Sequence, residues 1–163
     1  MRVVLGVALV GLVACVGCGR EPEGEERKAY RFMVWKEAIA AIKEMGGKVE
    51  VDENNAVVAV SIEKTNITND GLEHLKGLTQ LQGLDLRGTK VTDAGLVHLK
   101  ELTSLKYLLL GNTQITGVGL AHFKGLTKLE RLNLEGANVN DAGLAHLKGL
   151  TELEKLNLNS TGV

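Results

Sequence analysis

An α/β solenoid is the fold class this sequence predicts, and two observations carry the prediction. The first is a 24-residue period. Thr65, Thr89, Thr113, Ala137 and Thr161 fall on it, and so do Leu72, Leu96, Leu120 and Leu144. The second is that each period holds a pair of apolar residues one residue apart: Val60/Ile62, Leu84/Leu86, Leu108/Leu110, Leu132/Leu134 and Leu156/Leu158. Alternation of that kind belongs to a strand with one buried face. Composition agrees. The 163 residues include only five aromatics (Tyr30, Phe32, Trp35, Tyr107, Phe123) but 20 glycines, so the core must be assembled from many similar leucine layers.

Within one period the elements follow in order. Leu81-x-x-Leu84-x-Leu86 is a short strand with an apolar inner face. Thr92-Asp93-Ala94-Gly95 then offers Thr or Asp as a helix N-cap. Leu96, Leu99 and Leu102 succeed one another at three-residue spacing, the inward side of a short helix. Gly77, Gly125 and Gly149 mark the turn back to the next strand, with Glu101 replacing glycine in one repeat. One such unit cannot bury its own apolar face, whereas stacked neighbours can.

The segments 65–81 (TNITNDGLEHLKGLTQL) and 89–105 (TKVTDAGLVHLKELTSL) resemble leucine-rich-repeat proteins, especially bacterial ones with a T-D-A-G-L-x-H-L signature. The resemblance covers roughly residues 57–163. It implies a parallel sheet on the concave side, helical segments on the convex side, and binding of proteins through the concave sheet. One departure concerns the turn after the strand, where Thr, or Ala at Ala137, stands in place of the usual ladder Asn. A hydroxyl can make only part of an amide's hydrogen bonds, so this turn is expected to be satisfied differently.

Ahead of the repeats, residues 28–56 read as a helix-plus-hairpin cap. Phe32, Trp35, Ile39 and Ile42 share one helical face, and Gly46-Gly47 stops the helix. Lys48–Val51 and Ala56–Ile62 are expected strands joined by Asp52-Glu53-Asn54-Asn55. Trp35 is assigned to the core of this cap.

The first 18 residues have the outline of a secretory signal peptide: Arg2, then an apolar run from Val3, then small residues and both cysteines. Leu12-Val13-Ala14-Cys15 also resembles the bacterial lipobox, which places lipidation on Cys15, with Cys18 as the alternative. An uncleaved membrane anchor is the competing reading, since the apolar stretch approaches the roughly 17–25 residues a spanning helix needs. Residues 19–27 (GREPEGEER) then form a charged tether. The expected location is outside the cytoplasm, anchored to a membrane on its periplasmic or cell-surface side. At the other end the chain stops where a further repeat would enter its helical half, so a C-terminally uncapped edge, open to homo-oligomerisation, is expected.

Charge and motif content exclude other classes. With 19 basic and 20 acidic residues there is no basic excess for nucleic acid. His74, His98, His122 and His146 share one repeat position. Packed helices lie roughly 8–10 Å apart, too far for adjacent imidazoles to share an ion readily, and the position points outward. They are expected to be surface residues, with no metal and no cofactor. Ser61, Ser104 and Ser160 lack a nucleophile-elbow motif, and Asp93 and Asp141 are explained by helix capping, so no enzyme is expected.

The binding face is therefore expected on the outward side of the strands. Tyr107 and Leu109 stand out there as large apolar groups at mid-sheet. Tyr107, Arg87 and Arg131 are the expected anchors, flanked by Asp85 and Asn133. A protein partner is expected; its alternative is a self-associating structural protein or a repeat fragment with no independent role.

Overall fold

The computed structural model describes residues 35–162. The signal-peptide region, Cys15, Cys18, the tether and Phe32 lie outside them.

Residues 35–44 form helix α1, which buries Ala38 and Ile42 and nearly buries Trp35, with Ile39 packed partly against them. Gly46 ends it at φ +82°, in the left-handed region where a side chain is disfavoured. The Gly46 N–H donates to the Lys43 carbonyl (3.0 Å) and the Gly47 N–H to the Ile42 carbonyl (2.8 Å), the bond pair of a Schellman cap. Strand β1 (Lys48–Val51) then pairs antiparallel with β2 (Val57–Ser61). Between them the Asp52 carboxylate accepts the N–H groups of Asn54 (2.9 Å) and Ala56 (2.8 Å).

From β2 onward every strand is parallel to the last. β3 (Gly83–Asp85), β4 (Tyr107–Leu109), β5 (Arg131–Asn133) and β6 (Lys155–Asn157) complete a six-stranded sheet in chain order. Ala59, Gly83, Tyr107, Arg131 and Lys155 lie side by side in register, each 24 residues from the next. The sequence period is thus the sheet register. β2 belongs both to the hairpin and to the parallel sheet, so cap and repeats share a strand and a continuous core.

The opposite side is made of 3-10 turns: η1 (Asn69–Leu75), η2 (Asp93–Leu99), η3 (Gly119–Gly125) and η4 (Ala145–Gly149), the last preceded by one α-turn, α2 (Asp141–Leu144). The three-residue leucine spacing has its cause here, because a 3-10 helix repeats every three residues. The Leu78, Leu102, Leu126 and Leu150 N–H groups each donate to the carbonyl three residues back, and Leu81, Leu105, Leu129 and Leu153 do so again. The turns so closed at Leu78, Leu81, Leu102, Leu105, Leu126 and Leu129 drop these leucines into the core, where they are without exposure. Burial of one such side chain contributes about 1.5–3 kcal/mol.

Expected N-caps are the point of difference. Thr68 and Thr92 make no side-chain cap bond. The neighbouring Asn or Asp reaches instead to the next repeat. Asn69 accepts from the Thr92 N–H (2.9 Å) and donates to its hydroxyl (2.9 Å), and Asp93 accepts from both the N–H and the hydroxyl of Thr116. At Gly117 the series has no side chain to offer. Asn140, which stands where those threonines stand, caps its own helix by accepting the Gly143 N–H at 3.0 Å.

The threonines after the strands satisfy the turn from inside. The hydroxyls of Thr65, Thr89, Thr113 and Thr161 donate to the carbonyls of Ile62, Leu86, Leu110 and Leu158 at 2.6–2.9 Å. The residue just before each, and before Ala137 at the same position, is left-handed: Lys64, Gly88, Asn112, Gly136 and Ser160.

Candidate functional site: the concave sheet face

Alternation along β2–β6 sends Val60, Leu84, Leu108 and Leu132 inward and their neighbours outward, so the outward residues form rows across the sheet. The first row runs Ala59, Gly83, Tyr107, Arg131, Lys155; the second runs Ser61, Asp85, Leu109, Asn133, Asn157.

Small residues at the start of the first row leave a shallow hollow of about 230 Å³. Ala59 and Gly83 lie at its base, Tyr107 and Leu109 on one side, and Lys48 and Glu50 of β1 on the other. Its lining is mostly apolar despite its position on an open face. The β1 residues were missed by reading the repeats alone. The alternation Lys48-Val49-Glu50 held the signal, because strand pairing puts Lys48 and Glu50 beside Ser61 and Ala59.

Tyr107 is 39% exposed, and Leu109 is half-buried. The Arg131 guanidinium carbon lies 5.5 Å from the Tyr107 ring centroid, a cation–π geometry that favours their stacking. Behind Tyr107, Lys106 Nζ is 2.9 Å from Glu130 Oε1. That hydrogen bond, with a lesser contribution from the Tyr107 hydroxyl, holds the Glu130 carboxyl below the ordinary glutamate range.

Arg87 is differently placed. Its Nη2 lies 2.6 Å from Asp85 Oδ2 and 3.2 Å from Glu63 Oε2, and its Nε donates to Asp85 Oδ1 at 2.9 Å. Arg87 and Asp85 are thus engaged with each other. Asn133 Oδ1 accepts the Glu135 N–H at 2.8 Å, and Asn157 repeats this turn with Asn159 at 3.0 Å. Arg131 and Lys155, adjacent on β5 and β6, form no ion pair among the described residues.

The histidine column is less exposed than its position suggested. His74 is exposed, but His98, His122 and His146 are half-buried between turns, and His98 Nδ1 is buried with no hydrogen-bond partner. The repeats here stack as 3-10 turns, so spacing taken from packed α-helices does not apply to them. Among the described residues no cluster of three or more His, Cys, Asp or Glu side chains is arranged to hold a metal ion. No helix among them is long and apolar enough to cross a membrane.

A parallel sheet in 24-residue register, backed by leucine-bearing 3-10 turns, makes this chain a leucine-rich-repeat solenoid. The leucine-rich-repeat family model matches residues 103–163. Among solved structures, an internalin (InlF) of Listeria monocytogenes shares the fold at a TM-score of 0.55 and 24% identity, over 77% of this chain and 35% of that one. Internalin C2 (InlC2) of the same organism does so at a TM-score of 0.56 and 23% identity, over 78% of this chain and 54% of that one. The chain thus spans well under two thirds of either internalin, and the likeness is one of fold. Comparison with curated proteins finds no match.

Proposed function

We propose that this chain is a non-catalytic module that binds a protein through its concave sheet, held outside the cytoplasm by a lipid on Cys15 or, alternatively, Cys18. The observation that carries the binding reading is Tyr107, a large ring 39% exposed at mid-sheet beside an apolar hollow. Water gains nothing from such a surface, whereas an apolar partner side chain would release it. Leucine-rich-repeat architecture is in general a scaffold for protein interaction, which agrees with this reading. The anchor reading rests on the leader sequence alone.

The ten outward residues of these two rows are fewer than the roughly 20–30 per side of a standard interface. The hairpin supplies the difference in part, through Lys48 and Glu50.

The test is capture of the partner by the full chain and by two variants. Leu109→Glu, on the concave face, is expected to abolish capture, while Lys128→Glu, exposed in the loop before β5, leaves it intact. Equal capture by both, with both folded by circular dichroism, would overturn the concave reading. A second reading rests on Leu156, which is 40% exposed on β6: another copy of the chain covers it. Sedimentation of the wild type and of Leu156→Asn separates the two, since only self-association predicts a mass that falls on substitution.

A further inference from the structure

The concave face is not uniform along its length, and its asymmetry specifies what it holds. Its apolar hollow is lined by residues of β1 to β4, Gly83 of β3 among them. Its unpaired positive charge is at the other end of the same row, on Arg131 and Lys155 of β5 and β6. The acidic groups along this face are already engaged: Asp85 and Glu63 by Arg87, Glu130 by Lys106, and Glu135 by the Asn157 amide at 3.1 Å. Arg131 further stacks on the Tyr107 ring. Two cations side by side, neither within ion-pair distance of a carboxylate among the described residues, are complementary to an anion from outside.

The separation of the two features is set by the sheet. From β3 to midway between β5 and β6 is two and a half strand spacings, about 12 Å at about 4.8 Å each. An extended peptide advances about 3.3 Å per residue, so it covers this distance in about three to four residues.

Resting on the concave reading above, we propose that the partner presents an extended acidic segment that crosses the strands along the first row. An apolar side chain of that segment fills the hollow beside Tyr107, and one or two carboxylates about three to four residues away pair with Arg131 and Lys155. The stacked Arg131 supplies a planar fork for one carboxylate, and Lys155 supplies a mobile second charge.

The experiment is selection of a displayed random-peptide library on the full chain, repeated with the variant Arg131→Glu/Lys155→Glu and with Leu109→Glu. The proposal expects selected peptides that combine an apolar residue with Asp or Glu about three to four positions away. Their retention should fall at least about tenfold on Arg131→Glu/Lys155→Glu, the loss of one good charge-assisted contact. That variant should instead select Lys or Arg at the same spacing. Peptides lost on Leu109→Glu but carrying no acidic preference would overturn this proposal and leave the concave reading standing. Peptides indifferent to all these substitutions would overturn both. A library that yields nothing on the wild type would overturn the acidic-segment proposal, with the concave reading still decided by capture of the partner.

Discussion

The Asp93 carboxylate accepts two hydrogen bonds from Thr116, one from its backbone N–H at 2.8 Å and one from its hydroxyl at 2.5 Å, across 23 residues of chain. It is a side-chain rivet between consecutive repeats. The space it occupies is that of a Cβ on Gly119, which would collide with Asp93 Oδ1 and approach Leu96 Cδ1 to 2.8 Å. The glycine before the turn leucine carries no side chain at Gly95, Gly119 and Gly143 because the preceding repeat fills its place. Asp93→Ala leaves the partly buried Thr116 groups without their acceptor and is expected to cost about 1–3 kcal/mol in urea unfolding. Asp93→Asn, which reproduces the Asn69–Thr92 arrangement, should cost less.

Gly143 gives a sharper contest between two effects. It lies within the α-turn Asp141–Leu144, where helix propensity alone predicts that Ala stabilises by about 1 kcal/mol. A Cβ there would run into the Gly117 backbone, which cannot swing aside as a side chain can. Overpacking of this kind costs about 1–3 kcal/mol or more, so Gly143→Ala is expected to destabilise. Gly149→Ala, where a Cβ meets nothing within 4 Å, serves as the matched control and should be near neutral. Equal midpoints for the two variants would refute the close approach of Gly143 to the Gly117 backbone.

The threonine ladder makes a prediction in the stabilising direction. Ala137 stands where Thr89 and Thr113 donate to the carbonyl three residues back, and its own N–H donates to Leu134 at 3.0 Å. Ala137→Thr should add the missing bond and raise stability by about 0.5–1.5 kcal/mol, whereas Thr113→Ala should lose a similar amount. Urea unfolding of the pair reads both signs at once.

The Lys106–Glu130 bond sets a pH dependence. Because the folded Glu130 carboxyl is held below its ordinary value, its contribution to stability is complete above the ordinary glutamate range. It is lost as pH falls through the depressed folded value. Carbon-13 titration of the Glu130 carboxyl should give a midpoint below that of an exposed glutamate, and Lys106→Met should return it upward. An unchanged midpoint in the variant would show that Lys106 is not the cause.

Much of this was legible in the sequence, for a physical reason: a solenoid contacts only its neighbours, so the 24-residue spacing of leucines is itself the register of the sheet. The ion pairs Glu63–Arg87 and Lys106–Glu130 between consecutive repeats were equally open to reading, since charges 24 residues apart hold the same position in adjacent repeats. Treating Arg87 as an anchor overlooked that pairing. The capping role given to Asp93 was wrong because a local bond within one turn and a bond to the next repeat use the same residue types. Three-residue leucine spacing cannot by itself separate α from 3-10 turns, and the distinction governs how closely the histidines stack. The hollow needed β1, whose place beside β2 follows from the hairpin and not from the repeats.

Position-specific photo-crosslinking tests the central claim most directly. A photoreactive residue placed at Tyr107, on the concave face, is compared in the native cell with one at Lys124, exposed on the convex turn η3. Concave recognition predicts a discrete crosslinked species from position 107 and none from 124. Crosslinks from 124 alone, or equally from both, would contradict it.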